Sequence, residues 1–163
     1  MDIFPFISRH FWTICLAFLL FNYLAAERKI SSSVTLSVAQ LDAAKRYLRW
    51  FSLASTLPWL VMGWGQVVGG VPSVWHYFRP QDRNPYVLAW LASIFVLSVL
   101  YAVWVFFADG ARKTREYELL AAIGMRARKP MPEGLIKLFA ALGPFFVVLW
   151  VYLAASMDTP VPK

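Results

Sequence analysis

Hydrophobic and polar positions divide this chain into four uncharged runs separated by charged connectors. The runs are Phe11 to Ala26, Phe51 to Val68, Tyr86 to Ala108 and Leu138 to Met157. Each is far longer than a strand, and none alternates as barrel strands do. At about 1.5 Å per residue, three of them approach the roughly 30 Å hydrocarbon core. The first covers roughly 24 Å. Its shortfall is met by Ile3-Phe4-Pro5-Phe6-Ile7 lying at the interface, with Arg9 and Glu27 snorkelling outward. Small residues do not alternate before a cleavage point at Leu24-Ala25-Ala26, and Arg28-Lys29 follow the run, so it is expected to be retained rather than cleaved. The fold predicted is all-α: one four-span membrane domain over 1–163, spans about 11–26, 51–68, 86–108 and 138–157, in a compact bundle with short amphipathic cytoplasmic helical extensions.

Local signals refine the ends. Ser37-Val38-Ala39-Gln40 fits a capping box. The helix it opens has Val38, Leu41, Ala44, Leu48 and Phe51 at three- and four-residue spacing, and runs straight into the second span. Residues 31–36 before it suggest an extended linker. Asn84-Pro85 suggests an N-cap with Pro at the first helical position of the third span. A short helix is expected from Ala111 to Ile123, stopped by Gly124, followed by a basic loop from Met125 to Gly134. Pro58 and Pro144 should kink the second and fourth spans.

Within span two, Ala54, Pro58, Met62, Gly65 and Gly69 fall on one face at three- and four-residue spacing, and Gly65 to Gly69 is a G-x-x-x-G step. Small residues on one face let helix backbones approach closely in lipid, where no hydrophobic drive holds helices together. The neighbour is either another span of the chain or another subunit.

Composition agrees with the pattern. Sixty per cent of residues are apolar or aromatic and only 15% are charged; mean hydropathy is +0.55. The net charge of +7 sits in the connectors, so nucleic acid is not the expected partner. Lys and Arg number five in the first connector, two in the second and seven in the third. The positive-inside bias therefore places the first and third connectors in the cytoplasm, and both termini and the second connector outside. The expected location is the bacterial inner (plasma) membrane. Arg112, Lys113, Arg115, Arg126, Arg128 and Lys129 are candidate contacts for anionic lipid.

The outward connector concentrates the unusual residues. Gln66, Trp75, His76, Tyr77, Arg79, Asp82, Arg83 and Asn84 are the candidate outer-face binding residues. An Arg fork suits a carboxylate or an anionic headgroup, and the same residues also suit a self-stabilised loop. His10 and His76, with Asp82 or another carboxylate, are the outward residues that could hold a metal, but no ligand spacing pins them, so no metal and no other cofactor is predicted. Cys15 is the single cysteine, which excludes an intrachain disulfide or a CxxC pair. No ionisable carboxylate, histidine or arginine lies inside a run, as pumps and ion-coupled transporters require, and no nucleophile elbow or phosphate loop is present. The function expected is a non-enzymatic accessory or assembly subunit that acts by helix association in a larger membrane complex, with lipids and other subunits, or copies of itself, as partners. Two alternatives are a homo-oligomeric channel or transporter for a small solute, and a metal-binding protein or enzyme using His10 and His76.

Overall fold

Reciprocal hydrogen bonds fix the start of the longest helix. Ser37 has extended backbone; its hydroxyl accepts from the Gln40 N–H at 3.4 Å, and Gln40 Oε1 accepts from the Ser37 N–H at 3.0 Å. The capping box read in the sequence is thus formed. In the computed structural model, which describes residues 3–33, 36–117, 119–122 and 131–156, the chain runs as α1 (Ile3–Arg9), α2 (Phe11–Ser31), α3 (Val38–Val67), two 3-10 turns (Val74–Phe78 and Pro80–Asp82), α4 (Pro85–Phe107), α5 (Gly110–Glu116), α6 (Leu119–Ala122) and α7 (Glu133–Ser156). The described residues contain no strand.

Three of these helices, α2, α4 and α7, are long and apolar enough to cross a membrane. Four crossings were expected, and the second run, 51–68, is not among the three. It is the C-terminal part of α3, a 30-residue helix whose hydroxyls, tryptophans, glycines, Pro58 and Gln66 dilute its apolar character. The helix continues through Pro58, as α7 continues through Pro144.

The first connector is shorter than the polar run suggests. Helix α2 continues through Glu27 to Ser31, and α3 begins at Val38. The expected single helix over 111–123 is divided at Tyr117 into α5 and α6. Gly124 lies outside the described residues, and Gly134 is already in α7.

The strongly packed pairs are consecutive: α2 on α3, α3 on α4, α4 on α7. Among the described residues α2 and α7 are not a strongly packed pair. The end opposite the α3–α4 connector is held by small residues. Ala26 of α2 and Ala44 of α3 are fully buried with Ile30 and Leu48 between the two helices. Val105, Ala111, Ile136 and Ala140 bury where α4, α5 and α7 meet. Helix α4 starts at Pro85, with Asn84 Oδ1 accepting from the Tyr86 N–H at 2.9 Å. Past its end, Asp109 takes a left-handed backbone (φ 56°) that turns the chain into α5. Lys113 then reaches back and donates to the Ala108 carbonyl at 2.7 Å, satisfying a group at the end of α4 where a cation is favoured.

Candidate functional site: a cap over the α3–α4 helix ends

The connector between α3 and α4 does not hang free. Helix α3 stops as Gly70 adopts φ 65°, and the Val71 N–H bonds the Gly65 carbonyl at 3.0 Å. The chain then folds back over the helix ends. Tyr77 is fully buried, and its hydroxyl donates to the Met62 carbonyl of α3 at 2.7 Å. Its ring meets Trp90 edge-on at 5.4 Å between centroids. Phe78 adds an edge-on contact to Trp90 at 6.0 Å and another to Trp150 of α7 at 5.6 Å. The cap thereby ties α3, α4 and α7 together through aromatic rings, which prefer such edge-to-face arrangements. Burial pushes the Tyr77 phenol up to about 12, because its anion would lose water without gaining a cation.

The G-x-x-x-G step has a definite occupant within the chain. A methyl at Gly65 would overlap Tyr77 Oη and come within 2.9 Å of Tyr86 Cβ. A methyl at Gly69 would overlap the Tyr86 ring. The close approach thus seats two rings of the cap and of α4, rather than the backbone of a neighbouring helix. Met62 and Pro58 of the same face are buried, whereas Ala54 is exposed. Gly63, two residues from Gly65 and so on nearly the opposite side of the helix, meets Trp12 of α2: an added methyl would lie 2.7 Å from its ring. Sequence reasoning passed over Gly63, although the alternation Gly63-Trp64-Gly65 signals close approach on two sides.

The polar residues of the outer set are largely spent on this cap. With its amide turned to satisfy both neighbours, Gln66 donates to the Arg9 carbonyl and accepts from the Val74 N–H at 3.3 Å, joining α1 to the connector. His76 Nδ1 lies 3.0 Å from Ser73 Oγ. Arg79 pairs with Asp82 at 3.1 Å, and Asn84 caps α4. Arg83, held at φ 52°, is exposed, and Trp75 presents part of its ring.

Neither histidine joins a ligand set among the described residues. His10 Nδ1 lies 2.9 Å from the Phe6 carbonyl and its ring stacks on Phe6 at 4.4 Å. Among the described residues no three His, Cys, Asp or Glu side chains gather as metal ligands would.

On the opposite, basic end, Arg112 pairs with Asp109 at 3.1 Å and Glu116 at 3.7 Å, and Arg115 pairs with Glu133 at 3.7 Å. Lys113 lies over the Tyr47 ring at 5.7 Å. Arg112 and Arg115 remain about half exposed and can still meet lipid phosphates. Arg126, Arg128 and Lys129 lie outside the described residues.

No family model matches this chain, and no curated protein or solved structure matches it either.

Proposed function

We propose that the protein is a small integral membrane subunit that crosses the bilayer four times and works by association, as an accessory or assembly component of a larger membrane complex. The observation that carries this is α3. Its residues from Ala44 to Gly63 lie against α2 from Ile30 to Trp12 in an antiparallel pair. Nineteen steps of about 1.5 Å make roughly 28 Å, close to the depth of the core. Since α2 is apolar enough to span, a helix packed along its whole length shares its depth. Yet α3 is too poor in apolar residues to rank with α2, α4 and α7.

A crossing helix less apolar than its neighbours is better covered by protein than by lipid. The face of α3 that the chain leaves bare is patterned accordingly. Trp50, Leu53, Leu57, Leu60, Trp64 and Val67 are all exposed at three- and four-residue spacing, with Ala54 and Ser55 beside them. Such spacing offers knobs to a facing helix, and the small residues permit close approach. The cap at 62–86 holds this helix in place from the outer side, and its exposed Trp75 and Arg83 are the outer-face groups left for a partner. The basic connectors face the cytoplasm of a bacterial inner membrane in this proposal.

Purification from native membranes in mild detergent tests the function. The expected result is a particle larger than the chain in its micelle, with one or more membrane proteins co-eluting, or a defined homo-oligomer. A monomer with no companion would refute it.

A further inference from the structure

Helices α2 and α3 touch closely at two levels, where Ala26 and Ala44 are fully buried and where Gly63 meets Trp12. Between these levels the flank of the pair forms a lateral groove of about 290 Å³. Leu16, Leu20 and Tyr23 line it from α2, and Leu53, Thr56 and Arg49 from α3. The Thr56 hydroxyl donates to the Leu53 carbonyl at 2.7 Å and so needs no partner in the groove. Arg49 is different. It is exposed and makes no hydrogen bond or ion pair among the described residues.

The groove therefore has an apolar run about 10 Å long, from residue 49 to 56 along the helix, and at one end a guanidinium with no partner among the described residues. That end points toward the helix ends that carry Arg28 and Lys29 of α2 and Lys45 and Arg46 of α3, with Glu27 and Asp42 among them. A fork that binds phosphate bidentately, followed by a trough that accepts hydrocarbon, is complementary to one kind of molecule. We propose that the α2–α3 groove holds an anionic phospholipid of the leaflet on the basic side, with its phosphate on Arg49 and an acyl chain between Leu20 and Leu53. The neutral, phosphate-bearing zwitterionic lipids are the weaker ligands, because their ammonium offsets the charge that Arg49 attracts. This site is distinct from the basic residues of α5 and shares Leu53 with the edge of the stripe offered to a protein partner.

Delipidated full-length protein in a neutral detergent is titrated with phosphatidylglycerol, with phosphatidylcholine of the same chains, and with inorganic phosphate, and bound lipid is counted by native mass spectrometry. The expected result is one tightly retained phosphatidylglycerol, with at least a tenfold preference over phosphatidylcholine. Arg49→Gln should remove the preference, and Leu20→Trp, at an exposed position that tolerates a larger ring, should lower retention of both lipids by filling the trough. Arg49→Lys should retain part of the preference and guards against a variant that misfolds. Unchanged retention in both Arg49→Gln and Leu20→Trp overturns the assignment. So does loss in Arg49→Gln alone, which would mean a headgroup contact without the groove, or competition by inorganic phosphate at concentrations comparable to the lipid.

Discussion

Replacing Gly65 by alanine is the sharpest perturbation of the cap. In an ordinary helix the change would stabilise by about 0.5–1 kcal/mol, since glycine loses more freedom on folding. Here the new methyl lands on Tyr77 Oη and lies 2.9 Å from Tyr86 Cβ. Tyr77 must move, forfeiting its bond to the Met62 carbonyl, worth about 1 kcal/mol. Overpacking of a filled interior adds about 1–3 kcal/mol. The net expectation is destabilisation by about 1–3 kcal/mol, the reverse of the propensity effect. The partner substitution is Tyr77→Phe, which deletes the clashing oxygen and leaves the ring. It should cost about 1 kcal/mol by itself. In its background the methyl at Gly65 is freed from its worst contact, though Tyr77 Cζ at 3.3 Å and Tyr86 still crowd it. Reversible unfolding in mixed micelles, applied to the wild type, both single variants and the double, should give a coupling of at least about 1 kcal/mol. Additive costs within about 0.5 kcal/mol, or a Gly65→Ala protein that is as stable as the wild type but loses its oligomeric partner, would refute the placement of Tyr77 on this glycine.

Other expectations follow from the same geometry. Gly63→Ala should loosen the α2–α3 pair by about 1–3 kcal/mol through Trp12, and Trp12→Leu should restore part of the loss in the same unfolding assay. The Tyr77 phenol, raised to about 12 from 10.0, adds no pH dependence below pH 10, where both states keep the proton. As pH rises past 10 the unfolded chain ionises first, so about 2–3 kcal/mol of stability is lost by pH 12; Tyr77→Phe should abolish that part of the slope. Lys113→Met removes the cation bonded to the Ala108 carbonyl and should cost about 1 kcal/mol or less, read as faster amide exchange in the last turn of α4. Reporter fusions after Gly70 and after Gly124 should report opposite sides of the membrane, the latter cytoplasmic.

Much of the helical plan was legible because local chemistry set it. Ser37 and Gln40 announced one start, and Asn84 with Pro85 another. Long uncharged runs marked α2, α4 and α7, since nothing else in a bilayer satisfies so many backbone groups. What the sequence left open was long-range. Gly65 and Gly69 carry the signal of a helix–helix seam, but a glycine records only that something comes close. That the neighbours are Tyr77 and Tyr86 depends on how the connector folds back, which no spacing encodes. For the same reason residues 75–84 read as a binding loop, because the Tyr77 hydroxyl finds its partner only once the Met62 carbonyl is brought beside it. The groove at Arg49 was hidden more deeply. It exists because Ala26–Ala44 and Gly63–Trp12 hold two helices together on either side of a stretch of leucines.

The most direct test of the association role is a photo-crosslinking residue placed at Leu57, the middle of the bare α3 stripe, with Leu100 on α4 as a matched exposed position. Irradiation of native membranes should give one discrete protein adduct from position 57, its mass identifying another subunit or a second copy, and none from position 100. Lipid adducts alone from both positions would contradict the proposal, because α3 would then face the bilayer as its neighbours do.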